Sequence, residues 1–496
     1  MRRTRRVQPF LKVCGVSLTG SGNGVYRVRF SAAATAGRLL PQRVVLRARP
    51  LLDRIDSLAN DRGGEGEAGR ISLAAFAIRI VSAVIALASQ VLLARWMGSF
   101  EYGIFVLVWV TMIIVGNLAC FGFHTSAIRF IPEYRETGRL AELRGILLTS
   151  RLFALAASTL VAAAGVAGVW LLSDRVESYY VIPFYLGLVC LPMIALSDVL
   201  QGIARANAWA ISALSITYLV RPLLILAFMA LALLIGYAPS AQTAVVAAIA
   251  ATYVTTVYQF LTVTARIDRR IPAGPRKLEF GLWMAVSLPI FLVEGFFFLL
   301  TNADVLMVGF FRDPHDVAVY YATVKVLALV HFVYFAVKAG VAQKYAELMH
   351  KDGGAGLAHF ARLTVSWTFW PSLAMGLVLL VAGRPLLMLF GPGFEEGYPL
   401  LFLLVPGVLA RAAVGPAESL LTMTGYQNVC AAIYSAALAL NVGLNVLLIP
   451  SYGLWGAALG TALATAFEAA ALALTVWRTH GIAMVILVPK LSREAA

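Results

Sequence analysis

Long apolar runs, broken by short polar stretches, fill the chain from about residue 71 to residue 477. A helix needs about 20 mostly apolar residues to cross a bilayer. Twelve runs meet that length: 71–94, 103–123, 145–172, 179–203, 211–235, 241–264, 280–309, 317–337, 363–381, 398–423, 429–449 and 453–477. The pattern predicts an all-α polytopic membrane protein of about twelve spans. The most basic break between spans, "RIDRRIPAGPRK" (266–277), divides them six and six. Across it "VLLARWMGSFEYGIFV" (91–106) resembles "VLMVGFFRDPHDVAVYY" (305–321). That weak repeat predicts two six-helix lobes in parallel arrangement around a central cavity, as in transporters with substrate at the interface of two repeats. The domain layout that follows is a tail 1–70, a lobe 71–265, a linker 266–279, a lobe 280–477 and a tail 478–496.

Composition agrees. Of 496 residues, 60% are hydrophobic and 13% charged, with a mean hydropathy of +0.82, against about 45–50% and about 25% in soluble domains. The net charge of +15 does not point to nucleic acid. The basic residues lie in the first tail, which carries 14 Lys/Arg against 5 Asp/Glu in residues 1–70, and in the loops 129–145, 266–277 and 338–362. Opposite loops hold Arg95, Arg175, Arg312 and Arg384, one each. Positive-inside bias therefore predicts both termini in the cytoplasm. Trp96, Trp170, Trp209, Trp283, Trp455 and Trp477 sit near predicted span ends, where indoles favour the headgroup zone. The first tail has no signal-peptide core. It is expected to be disordered and able to touch anionic lipid; a start codon assigned too far upstream would account for it equally.

Charges inside the runs are the candidate chemistry. Arg79, Asp198, Arg221, Glu294, Asp304, Lys325, Arg411, Glu418 and Glu468 lie within predicted spans, with His124 and His331. Lipid cannot solvate such groups, so they face protein or a water-filled lumen. Arg79, Arg221, Glu294, Lys325, Arg411 and Glu468 are the substrate or lumen candidates. Asp304 and Glu418 are candidates for a structural or ion-coupling role. Glu294 and Asp304 lie ten residues apart, roughly 80° around one helix, so they do not share one site in a continuous span. A basic cavity suits phosphate or pyrophosphate, which Arg grips bidentately. An acidic pocket suits a coupling cation, H+ or Na+. Interhelical ion pairing without any transport role is the plain alternative for each residue. The cysteines Cys14, Cys120, Cys190 and Cys430 have no ligand spacing and no metal site is expected. Phosphate-loop, nucleophile-elbow and zinc-helix motifs are missing from the sequence, and the loops opposite the basic side are short.

Five stretches carry a family resemblance. "LLARWMGSFEYGIFVLV", "FGFHTSAIRFIPEY", "NADVLMVGFFRDPHDVAVYYATVKV", "LLMLFGPGFEEGYPLLFLL" and "NVLLIPSYGLWGAALGTALA" occur in that order. They resemble the polysaccharide-type flippases (lipopolysaccharide, O-antigen and exopolysaccharide translocases) of the multidrug/oligosaccharidyl-lipid/polysaccharide exporter superfamily. The resemblance covers about 71–477. One departure is Ala318 in "VAVYY", where that family usually has Gly. Residues 1–70 have no counterpart. The resemblance implies a flippase in the cytoplasmic (inner) membrane for undecaprenyl-pyrophosphate-linked oligosaccharide, not an enzyme, with a polysaccharide polymerase or export proteins as partners and no nucleic acid. An ion-coupled exporter of drugs or peptidoglycan precursor is the alternative within the superfamily. A membrane polysaccharide polymerase or ligase is the alternative outside it.

Overall fold

The computed structural model describes residues 16–20, 26–30, 64–173, 177–350 and 355–486. The chain divides into two compact units, Met1–Val81 and Ser82–Ala496. The first contains an antiparallel pair, β1 (Val16–Gly20) and β2 (Tyr26–Phe30), with Val16 paired to Phe30 and Leu18 to Val28. The sequence reading leaves this stretch without structure. Its apolar residues alternate with polar ones on either side of the glycine-rich 20–24, and that period of two is a hairpin signature. The remainder of 1–63, and the tail beyond 486, lie outside the described residues.

The second unit is built from helices. Helix α1 (Gly64–Leu118) enters it and is followed by α2 (Phe123–Glu136), α3 (Leu140–Leu171) and α4 (Ser178–Ala206). Next come α5 (Ala210–Ser215), a π-helical turn (Ile216–Val220), α6 (Arg221–Ile235) and α7 (Ala241–Asp268). After the linker stand α8 (Phe280–Leu300), α9 (Ala303–Phe311), α10 (Pro314–His350) and α11 (Ala355–Met388). The last four are α12 (Leu401–Ala412), α13 (Ala417–Met423), α14 (Gln427–Tyr452) and α15 (Leu454–His480).

Eleven helical runs among the described residues are long and apolar enough to cross a membrane. Large apolar side chains such as Leu160, Leu234, Phe310, Val381 and Leu447 face outward, which water would penalise and hydrocarbon tolerates. The chain is a multi-pass membrane protein. The difference from the predicted twelve lies at the start, where the first two predicted spans fall in one run, Val81–Glu136. Inside that run α1 breaks at Gly98, whose φ of 76° lies in the left-handed region.

Two predicted spans are interrupted. The run 280–309 breaks between α8 and α9 at Thr301–Asn302, where the Asn302 amide donates to the Phe298 carbonyl at 2.9 Å. The run 398–423 breaks between α12 and α13 at Gly415–Pro416, since Pro416 has no N–H to continue the ladder. Each break starts a short helix with a carboxylate in its first turn, Asp304 or Glu418. The free N–H groups of a first turn favour an anion there.

Packing does not divide the second unit at the 266–279 linker. One apolar cluster takes Tyr102, Phe105 and Val108 from α1, Tyr320 and Val326 from α10, and Phe390, Phe394 and Leu404 from further on. A second lies around Phe123, Leu196 and Trp283, and a third around Tyr345, Leu420 and Leu472. The linker itself is strapped to the α2–α3 corner. The Lys277 amide donates to the Ala141 carbonyl at 3.0 Å, and the Lys277 ammonium meets Glu279 at 2.7 Å and Glu142 at 3.2 Å. Those carboxylates, Glu279 first, raise the pKa of Lys277.

The tightest approach in this unit is at Gly103, where a Cβ would lie 1.7 Å from the Pro314 carbonyl oxygen. At Gly98 a Cβ would meet nothing within 4 Å, and only the backbone conformation opposes it. Gly98→Ala should therefore cost roughly 1–3 kcal/mol, while Gly103→Ala must push α10 away. Thermal unfolding of the detergent-solubilised protein should show the larger loss for Gly103→Ala. An equal or smaller loss would mean that the α1–α10 contact is not close.

Candidate functional site

A cavity of about 500 Å³ lies inside the helical unit. Its walls are helical stripes. Ala86, Ser89, Gln90 and Leu93 and then Phe105, Trp109, Ile113 and Asn117 come from α1; Asp198, Gln201 and Arg205 come from α4. Thr217, Tyr218 and Arg221 come from the π-helical turn and the start of α6, Glu294 and Phe298 from α8, and Tyr321 and Lys325 from α10. The spacings are i, i+3, i+4 and i+7, the residues one helical face presents. A π-turn inserts an extra residue into the helical ladder and often stands at functional positions. Here it immediately precedes Arg221.

Arg221 is buried, and one Nη donates to Ser197 Oγ at 2.6 Å. Ser197 in turn donates to Gln259 Oε1 at 3.1 Å. Among the described residues the Arg221 Nε has no hydrogen-bond partner. Asp198 accepts from the Asn117 amide at 3.3 Å, and Gln201 donates to Thr217 at 3.1 Å. Lys325 stands over the Tyr321 ring, 4.6 Å from its centroid. Glu294 accepts from Thr125 Oγ1 at 2.6 Å and lies 3.4 Å from His124 Nε2. Three cations, Arg205, Arg221 and Lys325, thus share the cavity with two carboxylates and an imidazole. Among the described residues none of the three cations makes an ion pair at contact distance.

A second charged group sits elsewhere. Arg411 pairs with Glu418 at 2.9 Å and with Glu468 at 3.1 Å. Glu418 also binds the Lys338 ammonium and the Tyr434 hydroxyl. The Arg411 guanidinium lies over Tyr334, 4.8 Å from the ring centroid. Glu468 is 1% exposed, Glu418 3% and Arg411 8%. Two cations and two carboxylates balance, and the group joins α10, α12, α13, α14 and α15. Asp304 is bonded separately: its Oδ1 accepts from the Val305 amide at 3.0 Å and its Oδ2 from Tyr320 at 2.8 Å and Thr461 at 3.4 Å. Among the described residues no group of His, Cys, Asp and Glu could hold a metal ion.

A model of the polysaccharide biosynthesis protein family matches residues 70–342. The chain belongs to that family. No curated protein matches it. Among solved structures it is similar to the lipid II flippase MurJ in an inward closed conformation, with a TM-score of 0.62 at 15% identity over 82% of this chain and 87% of that one. It is also similar to an inward-facing multidrug resistance MATE family transporter of the MOP superfamily, with a TM-score of 0.60 at 13% identity over 79% and 93%. A MOP superfamily transporter from Pyrococcus furiosus, described as having a binding pocket of reversed polarity, gives 0.55 at 14% identity over 85% and 96%. The fold is that of MOP-type transporters.

In this polysaccharide biosynthesis protein, the sequence-predicted residues separate into four groups. Arg221, Glu294 and Lys325 line the cavity. Arg411 and Glu468, predicted beside them, do not: each satisfies the other's charge in the buried quartet, which also takes Glu418. Asp304 stands apart, tied to α10 and α15. Arg79 lies on α1, and its side chain falls outside the described residues. The sequence reading missed Arg205, Gln201, Asn117 and Thr125, and did not select Asp198 or His124 from the intramembrane charges. A usable signal was present, because 198, 201 and 205 repeat at i, i+3 and i+7.

The quartet yields a stability test. Removing one member of a buried pair leaves an uncompensated charge, at a cost of about 3–5 kcal/mol, whereas replacing both by apolar residues is often close to neutral. Arg411→Leu alone should therefore lower folded yield and Tm sharply. The double variant Arg411→Leu/Glu468→Leu should recover much of the loss, since Lys338 still holds Glu418. A double variant as unstable as the sum of the singles would show that the pair is uncoupled.

Proposed function

We propose that the protein moves a lipid-linked oligosaccharide, carried on a pyrophosphate of the undecaprenyl type, across the cytoplasmic membrane by alternating access, for surface polysaccharide assembly. The observation that carries this reading is the cavity chemistry. Among the described residues, Arg205, Arg221 and Lys325 have no carboxylate partner at contact distance, in a site walled by apolar and aromatic side chains. Cations held short of neutrality attract a multivalent anion, and guanidinium geometry fits phosphate oxygens. The aromatic and amide groups beside them, Trp109, Tyr218, Asn117 and Gln201, offer a sugar both ring faces and hydrogen bonds. In this reading both termini are cytoplasmic, a polysaccharide polymerase or export protein receives the product, and a coupling cation (H+ or Na+) drives the cycle.

A second reading is an ion-coupled exporter of drugs or of a peptidoglycan precursor. Asp198 and Glu294 on the same cavity wall favour it, and the similar solved structures include both kinds. A drug cation would be drawn to those carboxylates, but it would also face three cations, one more than the carboxylates beside them. The two readings part on Arg221. Truncating one partner of a desolvated charge contact costs about 2–5 kcal/mol. In a deletion strain, Arg221→Ala should reach the membrane yet restore little surface polysaccharide, with lipid-linked intermediates accumulating on the cytoplasmic leaflet. Wild-type levels of surface polymer from that variant would sink the polysaccharide reading.

A further inference from the structure

Glu294 is a carboxylate placed among donors that suit an anion. Thr125 donates to its Oε2 at 2.6 Å, the His124 Nε2 lies 3.4 Å from the same oxygen, and Arg205 acts on it through space. Its side chain is 43% exposed while that of His124 is 11% exposed; both line the cavity, and the acid is the more open of the two. The other polar links between α2 and α8 are neutral: Ser287 to Ser126 at 2.7 Å and Trp283 to Tyr134 at 2.9 Å. Asp198, the other cavity carboxylate, is arranged differently. It accepts from the Asn117 amide, on another wall.

We infer that Glu294 is an internal stand-in for the anionic group of the cargo, competing with it for Thr125, His124 and Arg205. The inference rests on the anionic-cargo reading. An incoming phosphate oxygen accepts the same hydrogen bonds and, with more charge, displaces the carboxylate, which swings into the cavity and opens the charged clasp between α2 and α8, while the Ser287–Ser126 and Trp283–Tyr134 bonds still hold the two helices. A neutral glycolipid has nothing to exchange for those donors and leaves the clasp closed. Glu294 is then a specificity-determining residue: it keeps the site from standing as a bare cationic pocket, and sets a threshold that only a strongly anionic head group passes.

The test is calorimetric titration of the full-length, detergent-solubilised protein with inorganic pyrophosphate, comparing wild type, Glu294→Gln and Asp198→Asn. Like charges brought together oppose binding, and 1.4 kcal/mol of relief is tenfold in affinity, so Glu294→Gln should bind pyrophosphate at least about tenfold more tightly than wild type. Asp198→Asn should show a clearly smaller gain. Equal affinity in wild type and Glu294→Gln, or equal gains in both variants, overturns the inference and leaves the anionic-cargo reading standing. Binding to none of the three overturns both. Should Glu294→Gln fail to fold, carbodiimide labelling of the unaltered protein, read by mass spectrometry, decides. Saturating pyrophosphate should increase labelling at Glu294 as the carboxylate leaves its donors; unchanged or reduced labelling overturns the inference.

Discussion

A formal charge inside an apolar slab costs several kcal/mol unless a counter-charge, a hydrogen-bond donor set or water meets it. That constraint sorts the intramembrane charges of this protein. Where charges balance, as in Arg411, Lys338, Glu418 and Glu468, they close on one another, and all but Lys338 are buried. Where cations exceed carboxylates at hand, as with Arg205, Arg221 and Lys325, they border a cavity of about 500 Å³. The first arrangement knits five helices together. The second leaves positive charge available to a ligand.

The helix breaks belong to the same account. A continuous span satisfies its backbone internally and offers no free donors along its length. By interrupting two runs, at Thr301–Asn302 and Gly415–Pro416, the chain exposes fresh helix starts in the apolar interior. Each start carries a carboxylate in its first turn, and each carboxylate then reaches other helices: Asp304 to Tyr320 and Thr461, Glu418 to Lys338, Arg411 and Tyr434. These two acids, anomalous in a hydropathy profile, anchor interrupted helices.

Hydropathy made the membrane architecture legible, because a span is a property of composition over some twenty residues. It could not show the two breaks, since Asn302 and Pro416 change the mean of their windows little while removing the local ladder. Nor could it show which charges meet. Arg411 and Arg221 are alike in sequence, a single arginine deep in an apolar run, and only tertiary packing gives one two carboxylates and the other a serine hydroxyl. The cavity walls were half legible. Phe105, Trp109, Ile113 and Asn117 repeat every four residues, as do the pairs 294/298 and 321/325. Recognising those stripes as one site required knowing which helices face each other. Arg205 was hidden for another reason: next to a predicted cytoplasmic loop it reads as one more positive-inside residue, while α4 continues through Ala206 and presents it to the cavity.

The claim beneath all of this is that cargo crosses the bilayer on an anionic head group held by the cavity. The most direct test is transbilayer movement in proteoliposomes containing the purified protein and a fluorescent polyprenyl-pyrophosphate oligosaccharide. The label reaching the outer leaflet is read by a quencher that does not cross the membrane. The account predicts protein-dependent movement of the pyrophosphate-linked lipid and little movement of the same glycan on an uncharged lipid. Movement of both at the same rate, or of neither above protein-free vesicles across imposed proton and sodium gradients, would contradict it.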